Sequence, residues 1–360
     1  MSIINLYEKS ENLLFVGGIV RDELLGIKSQ DIDLTYEGNA VEFAHNTDFE
    51  ITQINEKFGS VHLKIDGKTI DITSTRTETY PKKGHLPVVE KIGCSLKEDV
   101  LRRDFTINAI AKNCKSGKIF DYTDGLEDLK NKKLRILHEK SFIDDPTRII
   151  RGLKFSVRFG FDLEEKTLKL QEEYLQNVNY DMSFKRLKDE LKDAFNLNKQ
   201  EVLNKFIEQK MYKLLSDKEF QPYVCNIEEF VKPYVSEYIW LVYLGGFDLS
   251  NIPLTKKESQ IIEDFQAMKI LKDFELYKKF KNSAIESVLL YGVLINKNTA
   301  LDFLKNKKNI NLNICGKDLL DIGYEPSKKI AEVLDLILEI KLENPKMSFE
   351  DEINLAKKYM

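Results

Sequence analysis

Leu13-Leu-Phe-Val-Gly-Gly-Ile-Val-Arg-Asp-Glu-Leu-Leu-Gly26, followed after four polar and apolar residues by Asp31-Ile-Asp33, is the stretch on which the reading of this chain turns. Leu13 to Val16 reads as a short apolar strand, Gly17-Gly18 breaks it, and Ile19 to Leu25 reads as a short helix closed by Gly26. Residues without side chains let backbone N–H groups approach a triphosphate at a helix N-terminus, where the peptide dipoles favour negative charge. Arg21, one turn in, adds a charge-assisted contact. Taken alone, a glycine pair before a helix serves equally as an ordinary turn. The next element shifts the balance. Alternate residues of a strand share a face, so Asp31 and Asp33 project the same way, about 7 Å apart along the chain. Two such carboxylates repel unless a cation lies between them. Beside a triphosphate that cation is Mg²⁺, a hard ion that takes oxygen ligands. A pair of Mg²⁺ ions about 4 Å apart would activate a 3′-hydroxyl and stabilise a departing pyrophosphate. Asp71, on the apolar run Thr69 to Thr73, is the natural third carboxylate; a solvated strand-end aspartate is its other reading.

Working outward, 360 residues suggest two or three domains at roughly 150 residues each. Lys+Arg 55 against Asp+Glu 59 leaves a net charge of -4, so no global basic field draws in nucleic acid or an anionic membrane, and any polyanion site must be local. With 17 Gly and 8 Pro in the chain, long helices are expected. Cys94, Cys114, Cys225 and Cys315 form no C-x-x-C pair and read as reduced, buried small residues. No basic and then apolar leader opens the chain, and the apolar run Tyr238 to Leu244 is far short of the ~18 residues that cross a bilayer. A cytoplasmic protein with no membrane partner is expected.

Short β-rich runs (Leu13 to Val16, Asp31 to Thr35, Val61 to Ile65, Thr69 to Thr73, Ile119 to Tyr122) alternate with helical patterns in the first 135 residues. After Ser141 the strand signals stop. Amphipathic segments follow at Pro146 to Phe159, Leu163 to Gln176, Ser183 to Phe195 and Ser327 to Leu342. The expected fold is therefore an α/β head followed by an elongated all-α remainder, with boundaries near 140 and 215.

The glycine-pair string and Asp31-Ile-Asp33 resemble the head motif of the class II tRNA nucleotidyltransferase (CCA-adding enzyme) and bacterial poly(A) polymerase family, within the polymerase β-like nucleotidyltransferases. Further matches keep the family's order: Asp71-Ile-Thr-Ser-Thr-Arg-Thr-Glu78, Glu98-Asp-Val-Leu-Arg-Arg-Asp-Phe-Thr-Ile-Asn-Ala109, Asp121-Tyr-Thr-Asp-Gly125 and Asp144-Asp-Pro-Thr-Arg-Ile-Ile-Arg151. The resemblance implies a catalytic head (1–140), a helical neck that reads the base (141–215) and a helical body and tail that bind tRNA (216–360). It implies addition of C and A to the 3′ end of tRNA from CTP and ATP, with release of pyrophosphate and two Mg²⁺ ions as cofactor.

The resemblance also assigns roles. Arg103 contacts the incoming nucleotide; Asp104 either holds that guanidinium or bonds a ribose hydroxyl, though an Arg-Asp pair is also an ordinary surface ion pair. Asp145 and Arg148, at i and i+3, address one base edge as an amino-acid template. Cytosine and adenine offer an amino donor to Asp145. Uracil and guanine present a carbonyl there, and each such contact is worth about 1–3 kcal/mol of discrimination. Asp145-Pro146 also reads as a helix cap with proline at the first turn. Arg151 continues this face toward the phosphates. Lys154 and Asp144 stand where the family commonly has arginine and glutamate, which puts their direct contacts in question. Arg76 to Glu90 looks like the family's flexible loop, with Arg76 and Glu78 as switching residues. Ser183 to Lys192 resembles the neck motif, which implies a polar face that supports the nucleotide pocket; Lys185 and Arg186 on that face are read by default as solvated. Gly316, Lys317 and Gly323 resemble the tRNA-gripping tail. The strongly basic C-terminus usual in the poly(A) polymerases is missing, which favours tRNA. Lysines at 278–281 and 305–308 either track phosphates or only solubilise the surface.

The rivals are a CC-only or A-only enzyme, a poly(A) polymerase and an inert RNA-binding protein. An appended His-Asp phosphohydrolase is excluded, because none of His45, His62, His85 and His138 is followed by aspartate.

Overall fold

The computed structural model describes residues 3–28 and 32–360, so Asp31 lies outside the described residues. The chain forms two compact units, residues 1–218 with 249–253, and residues 219–248 with 254–360.

The first unit is organised by a seven-stranded sheet. Its strands are β1 (Leu13–Val16), β2 (Asp33–Tyr36), β3 (Glu50–Asn55), β4 (Ser60–Ile65), β5 (Lys68–Ser74), β8 (Ala111–Asn113) and β9 (Ile119–Phe120), in the order β3-β4-β5-β2-β1-β8-β9. β6 (Arg76–Thr79) and β7 (Val88–Ile92) make a separate antiparallel hairpin. β1 sits near the middle because its four residues feed both faces. Leu13 joins a core with Leu34, Val61, Leu63 and Ile72, while Leu14 and Val16 pack with Leu96, Val100, Ala109 and Ala111. β2 and β5 run parallel, in register Asp33↔Asp71 through Tyr36↔Ser74; every other pair in this sheet is antiparallel.

The sequence reading of strands holds for β1 and β2, β4, β5 and β9 to within two residues. It misses β3, whose side chains are almost all exposed and so show no apolar alternation, and β8, which has no β-branched residue. It also errs after Ser141: Asp162–Leu163 pairs in parallel with Lys133–Leu134.

Beyond the sheet the same unit carries helices Thr147–Phe159, Glu165–Gln176, Phe184–Phe195 and Gln200–Glu208. Gly152 lets the first of these approach Phe105, whose ring lies 3.1 Å from where a Cβ would stand. On Phe184–Phe195, Leu187, Leu191 and Phe195 form the buried stripe.

The second unit is helical throughout its described elements. Glu286 to Leu294, within the helix Ile285–Leu294, is buried on every side, as its continuous apolar pattern requires. The helix Lys328–Glu343 packs Val333 and Ile337 onto Ile314, Leu319, Tyr324 and Ala356. Gly316 opens the helix Gly316–Asp321, and Gly323 follows it at φ +108°. Of the four cysteines only Cys94 is buried; Cys114 and Cys225 are half-buried and Cys315 is exposed at the start of Gly316–Asp321, so the buried reading fails for three. Among the described residues no helix is long and apolar enough to cross a membrane.

Candidate active site

Asp33 opens β2 and Asp71 lies in the middle of β5, and the parallel register sets them directly opposite one another. Neighbours on paired strands stand about 4.5–5.5 Å apart at Cβ, closer than two carboxylates tolerate without a counter-charge. Both are exposed, while the flanking Leu34, Ile70 and Ile72 go to the core. Partial burial pushes the Asp71 carboxyl above its ordinary value, against the pull of His62 and Arg76. His62, the register partner of Asp71 on β4, holds its Nε2 3.6 Å from Asp71 Oδ1. Among the described residues no group of three or more His, Cys, Asp and Glu side chains gathers as a metal cluster.

The two carboxylates open into a cavity of about 170 Å³ whose other walls include Thr35, Thr73, Arg76, Arg102 and Arg103. A capping box of Ser95 and Glu98 starts the helix Leu96–Val100, which carries Asp99 into the wall behind these arginines. Asp99 is buried and collects four donors: Arg76 N–H at 3.1 Å, Arg102 Nε and Nη2 at 3.0 and 2.9 Å, and Arg103 Nη2 at 3.0 Å. Burial works against its charge, but Arg103 and Arg102 outweigh it and hold the carboxyl below the usual range. Asp99 was given no role in the sequence reading. Its i+3 and i+4 spacing to Arg102 and Arg103 is the signal that identifies it. Arg103 Nε is buried and has no hydrogen-bond partner among the described residues. A buried unpaired guanidinium N–H is costly, and a phosphate or ribose oxygen in the cavity would satisfy it.

Gly17 faces this arginine: a Cβ there would stand 3.3 Å from Arg103 Nη1, and φ +75° is a conformation few side chains allow. Gly18 begins a helix of seven residues, Gly18–Leu24. Arg21 does not line the cavity. It is buried, with its fork on Asp22 Oδ1 (2.8 and 2.6 Å) and Asn108 Oδ1 (2.6 Å) and its guanidinium over Phe155 and Phe159. In this conformation it braces the wall and makes no approach to an anion.

The base-reading segment is buried and densely paired. Asp145 Oδ1 accepts from Thr147 N–H (3.2 Å) and Oγ (2.6 Å), and Oδ2 accepts from Arg186 Nη2 (2.5 Å). The helix begins at Thr147 with Pro146 at its cap position, and Asp145 accepts from Thr147 at that first residue. Arg148 donates to Ser141 Oγ (2.6 Å), the Arg102 carbonyl (2.9 Å) and Tyr80 Oη (3.3 Å). The default assignment of Arg186 to a solvated face is overturned, since it closes onto Asp145; Lys185 beside it is exposed.

Arg151 points to Asp104, with Nε and Nη2 each 2.7 Å from Oδ2, and to Glu190 at 2.9 Å. Asp104 Oδ1 accepts from Asn108 Nδ2 (3.0 Å) and Phe105 N–H (2.8 Å). The guanidinium that Asp104 holds is that of Arg151 and not of the adjacent Arg103, which Asp99 holds. Burial alone would raise the Asp104 carboxyl, but Arg151 and Asn108 hold it well below the ordinary carboxylate range. The Asp104 charge in turn raises Arg151. Lys154 bonds Glu190 (3.2 Å) and Asp193 (2.9 Å), so both cations of this face tie it to the helix Phe184–Phe195. Asn108 and Glu190, unassigned from sequence, complete a chain of contacts Arg21–Asn108–Asp104–Arg151–Glu190.

The segment expected as a flexible loop is the β6–β7 hairpin. Arg76 donates to Glu78 (2.7 Å) and the Phe58 carbonyl (2.8 Å), and Glu78 also accepts from Arg102 (3.1 Å). Its tip is docked: Lys83 Nζ reaches Asp144 Oδ1 at 2.5 Å, and the Gly84 backbone bridges the Asp144 carbonyl and Ser183 N–H. A second cavity, about 580 Å³, lies against this hairpin beside Arg102, His138 and Asp144.

Gly316, Lys317 and Gly323 lie in the second unit, where Lys317 is exposed. The lysines at 278–281 are spent within that unit. Lys278 pairs with Asp335 (3.0 Å), Lys279 with Asp264 (2.6 Å), and Lys281 bonds the Ile310 carbonyl and Asn311.

Residues 13–135 match the model of the poly(A) polymerase head domain. A-adding tRNA nucleotidyltransferases of Aquifex aeolicus and Geobacter sulfurreducens are 46% and 41% identical over 165 and 162 residues, 43% of this chain in each case, and the chain spans only 19% and 18% of their lengths. An A-adding tRNA nucleotidyltransferase of Halalkalibacterium halodurans is 30% identical over 357 residues, covering 90% of this chain and 83% of that one. A CCA-adding enzyme solved in an apo form superposes with a TM-score of 0.81 at 26% identity, over 99% of this chain and 96% of its own. A Thermotoga maritima CCA-adding enzyme complexed with tRNA does so with 0.76 at 26%, over 98% and 94%. With the α/β head and helical remainder in place and the relationship to the Halalkalibacterium protein sustained over most of both chains, this chain belongs to the tRNA nucleotidyltransferase family.

Proposed function

We propose that this chain adds C and A nucleotides to the 3′ end of tRNA, using CTP and ATP and releasing pyrophosphate. The observation that carries the reading is the Asp33–Asp71 pair, in register on parallel strands and facing a cavity walled by Arg76, Arg102 and Arg103. Membership of the family and the likeness to an enzyme solved with tRNA support it.

The donor set suits Mg²⁺, a hard ion that takes carboxylate oxygens, and the Asp33 and Asp71 carboxylates are exposed at the cavity. Asp33, with Asp31 two residues before it, would hold two such ions beside Asp71, and when bound they supply charge neutralisation at the attacking and leaving oxygens. Arg103, with its unpartnered Nε, binds the phosphate or ribose oxygens of the incoming nucleotide. Gly17 and Gly18 keep the backbone low enough for the polyphosphate to lie against it. Asp145 and Arg148 select the base. The tRNA 3′-oxygen then forms the new bond to the α-phosphorus as the bond to the β-phosphate oxygen breaks. Asp71, in register beside Asp33, is the carboxylate placed to receive the hydroxyl proton.

A second reading, addition of the terminal A alone, is favoured by the names of the Aquifex, Geobacter and Halalkalibacterium relatives. Transcripts of tRNA ending before, within and after CC, each offered one labelled nucleotide and sequenced afterwards, separate the two. The first reading expects CCA on the shortest transcript; growth only from a CC end establishes the second. Long A tails on arbitrary RNA, or no incorporation at all, would overturn both.

A further inference from the structure

We infer that Arg186 is a positioning residue for base selection: it holds Asp145 so that the carboxylate offers the incoming base a single acceptor position, and it ties that position to the tip of the β6–β7 hairpin. The inference rests on the base-reading role proposed for Asp145 and Arg148 and extends it to a third side chain on a different helix.

The argument is a count of lone pairs. A carboxylate has about four acceptor positions. Thr147 fills two on Oδ1 with its backbone N–H and its hydroxyl, and Arg186 Nη2 takes one on Oδ2. One remains, on an oxygen whose direction Arg186 fixes, in a side chain only 4% exposed. An exocyclic amino group of cytosine or adenine donates into one such position; the carbonyl of uracil or guanine at the same place meets oxygen with oxygen. Without Arg186, Oδ2 has two open positions and no fixed direction. Water then bridges it to a carbonyl, and the penalty against the wrong base falls.

Arg186 also reaches the hairpin, where its Nη1 lies 3.4 Å from the His85 carbonyl. The same tip donates Gly84 N–H to the Asp144 carbonyl (3.0 Å) and accepts from Ser183 N–H (2.9 Å), while Tyr80 at its base touches Arg148. His85 and Lys82 pair with Asp181, three residues before the helix that carries Arg186. Among these links the Arg186 guanidinium is the one that touches both the tip and the acceptor proposed to read the base. Arginine suits the task because its fork holds two acceptors at once, which a lysine point charge does not.

The test compares wild type, Arg186→Gln, Arg186→Lys, Asp145→Ala and the double variant Asp145→Ala/Arg186→Gln. Single-turnover incorporation of CTP, ATP, UTP and GTP onto tRNA transcripts is measured, with thermal melting of each protein alongside. Arg186→Gln is expected to lower the preference for CTP over UTP by about tenfold or more, through misincorporation. Inhibition by inorganic triphosphate should stay as in wild type, a separation that general loosening of the fold would not give. Arg186→Lys should fall between wild type and Arg186→Gln, and the double variant should be no less selective than Asp145→Ala alone. Wild-type selectivity in a folded Arg186→Gln, or in Arg186→Lys if the glutamine variant does not fold, alongside relaxed selectivity in Asp145→Ala, overturns the role of Arg186. Undiminished selectivity in Asp145→Ala instead sinks the base-reading assignment on which it depends.

Discussion

At the Asp33–Asp71 edge two exposed carboxylates face each other across parallel strands, and the arginine opposite keeps a buried N–H that no group among the described residues satisfies. At the base-reading helix Asp145 and Arg148 are each 4% exposed, and between them they engage Thr147, Arg186, Ser141, Tyr80 and the Arg102 carbonyl. On the proposed function, the first region presents exposed charge to a charged ligand, while the second satisfies most of its polar groups in advance and leaves only a few directed positions open. Binding energy is then available for the triphosphate, while selectivity comes from groups that do not have to reorganise.

If that contrast is right, the largest loss comes from the open end. Asp33→Ala should reduce nucleotide incorporation by about 10³-fold or more, the equivalent of roughly 4 kcal/mol of charge stabilisation in the transition state, while filter binding of tRNA is unchanged. Loss of tRNA binding in a folded variant would contradict the division. Next in size is Arg148→Ala. It should relax the choice among bases by about ten- to a hundredfold and change the apparent affinity for triphosphate far less. Equal changes in both quantities would show that the two regions are not separable. Arg103→Lys comes third: it keeps the charge but loses the fork, so KM for each nucleotide should rise about tenfold with the ranking of bases intact.

The contrast also marks what was legible in sequence. The glycine pair and Asp33 announce themselves because they break an otherwise apolar pattern, and Leu13 to Val16 and Thr69 to Thr73 announce the strands that carry them. Register is another matter. That Asp71 faces Asp33 depends on β2 and β5 running parallel, and no local pattern encodes which strands pair. Asp99 was within reach, since its arginines follow at helical spacing. Arg186 was not: a lone arginine in Lys185-Arg186-Leu187-Lys188 looks like solvated charge until the helix Phe184–Phe195 packs against Thr147–Phe159 and turns it onto Asp145. Arg21, read from the sequence as a phosphate contact, has its fork on Asp22 and Asn108, and the Asn108 partner 87 residues away is one that no local pattern announces.

The smallest effect tests whether the satisfied end is in fact held by its ion pairs. Asp104 joins Arg151 to Asn108, and through them the helix Gly18–Leu24 to the helix Phe184–Phe195. Its carboxyl lies below the ordinary range when folded, so in the unfolded chain it binds a proton more readily. The stabilisation is therefore complete above the unfolded value of about 4 and drains away as pH falls from there toward the lower folded value. Asp104→Asn removes it and leaves Arg151 without its main partner, which costs about 2–3 kcal/mol, the low end for a broken buried pair because Arg151 is a third exposed. In a unit of this size that lowers Tm by about 5–10 °C at pH 7. Below pH 4 the wild-type protein loses the same contribution, so the two melting curves should converge as the solution is acidified. A gap that stays constant, or widens toward acid, would mean that Asp104 contributes by shape alone and that the base-reading end owes its rigidity to packing around Phe105 and Gly152.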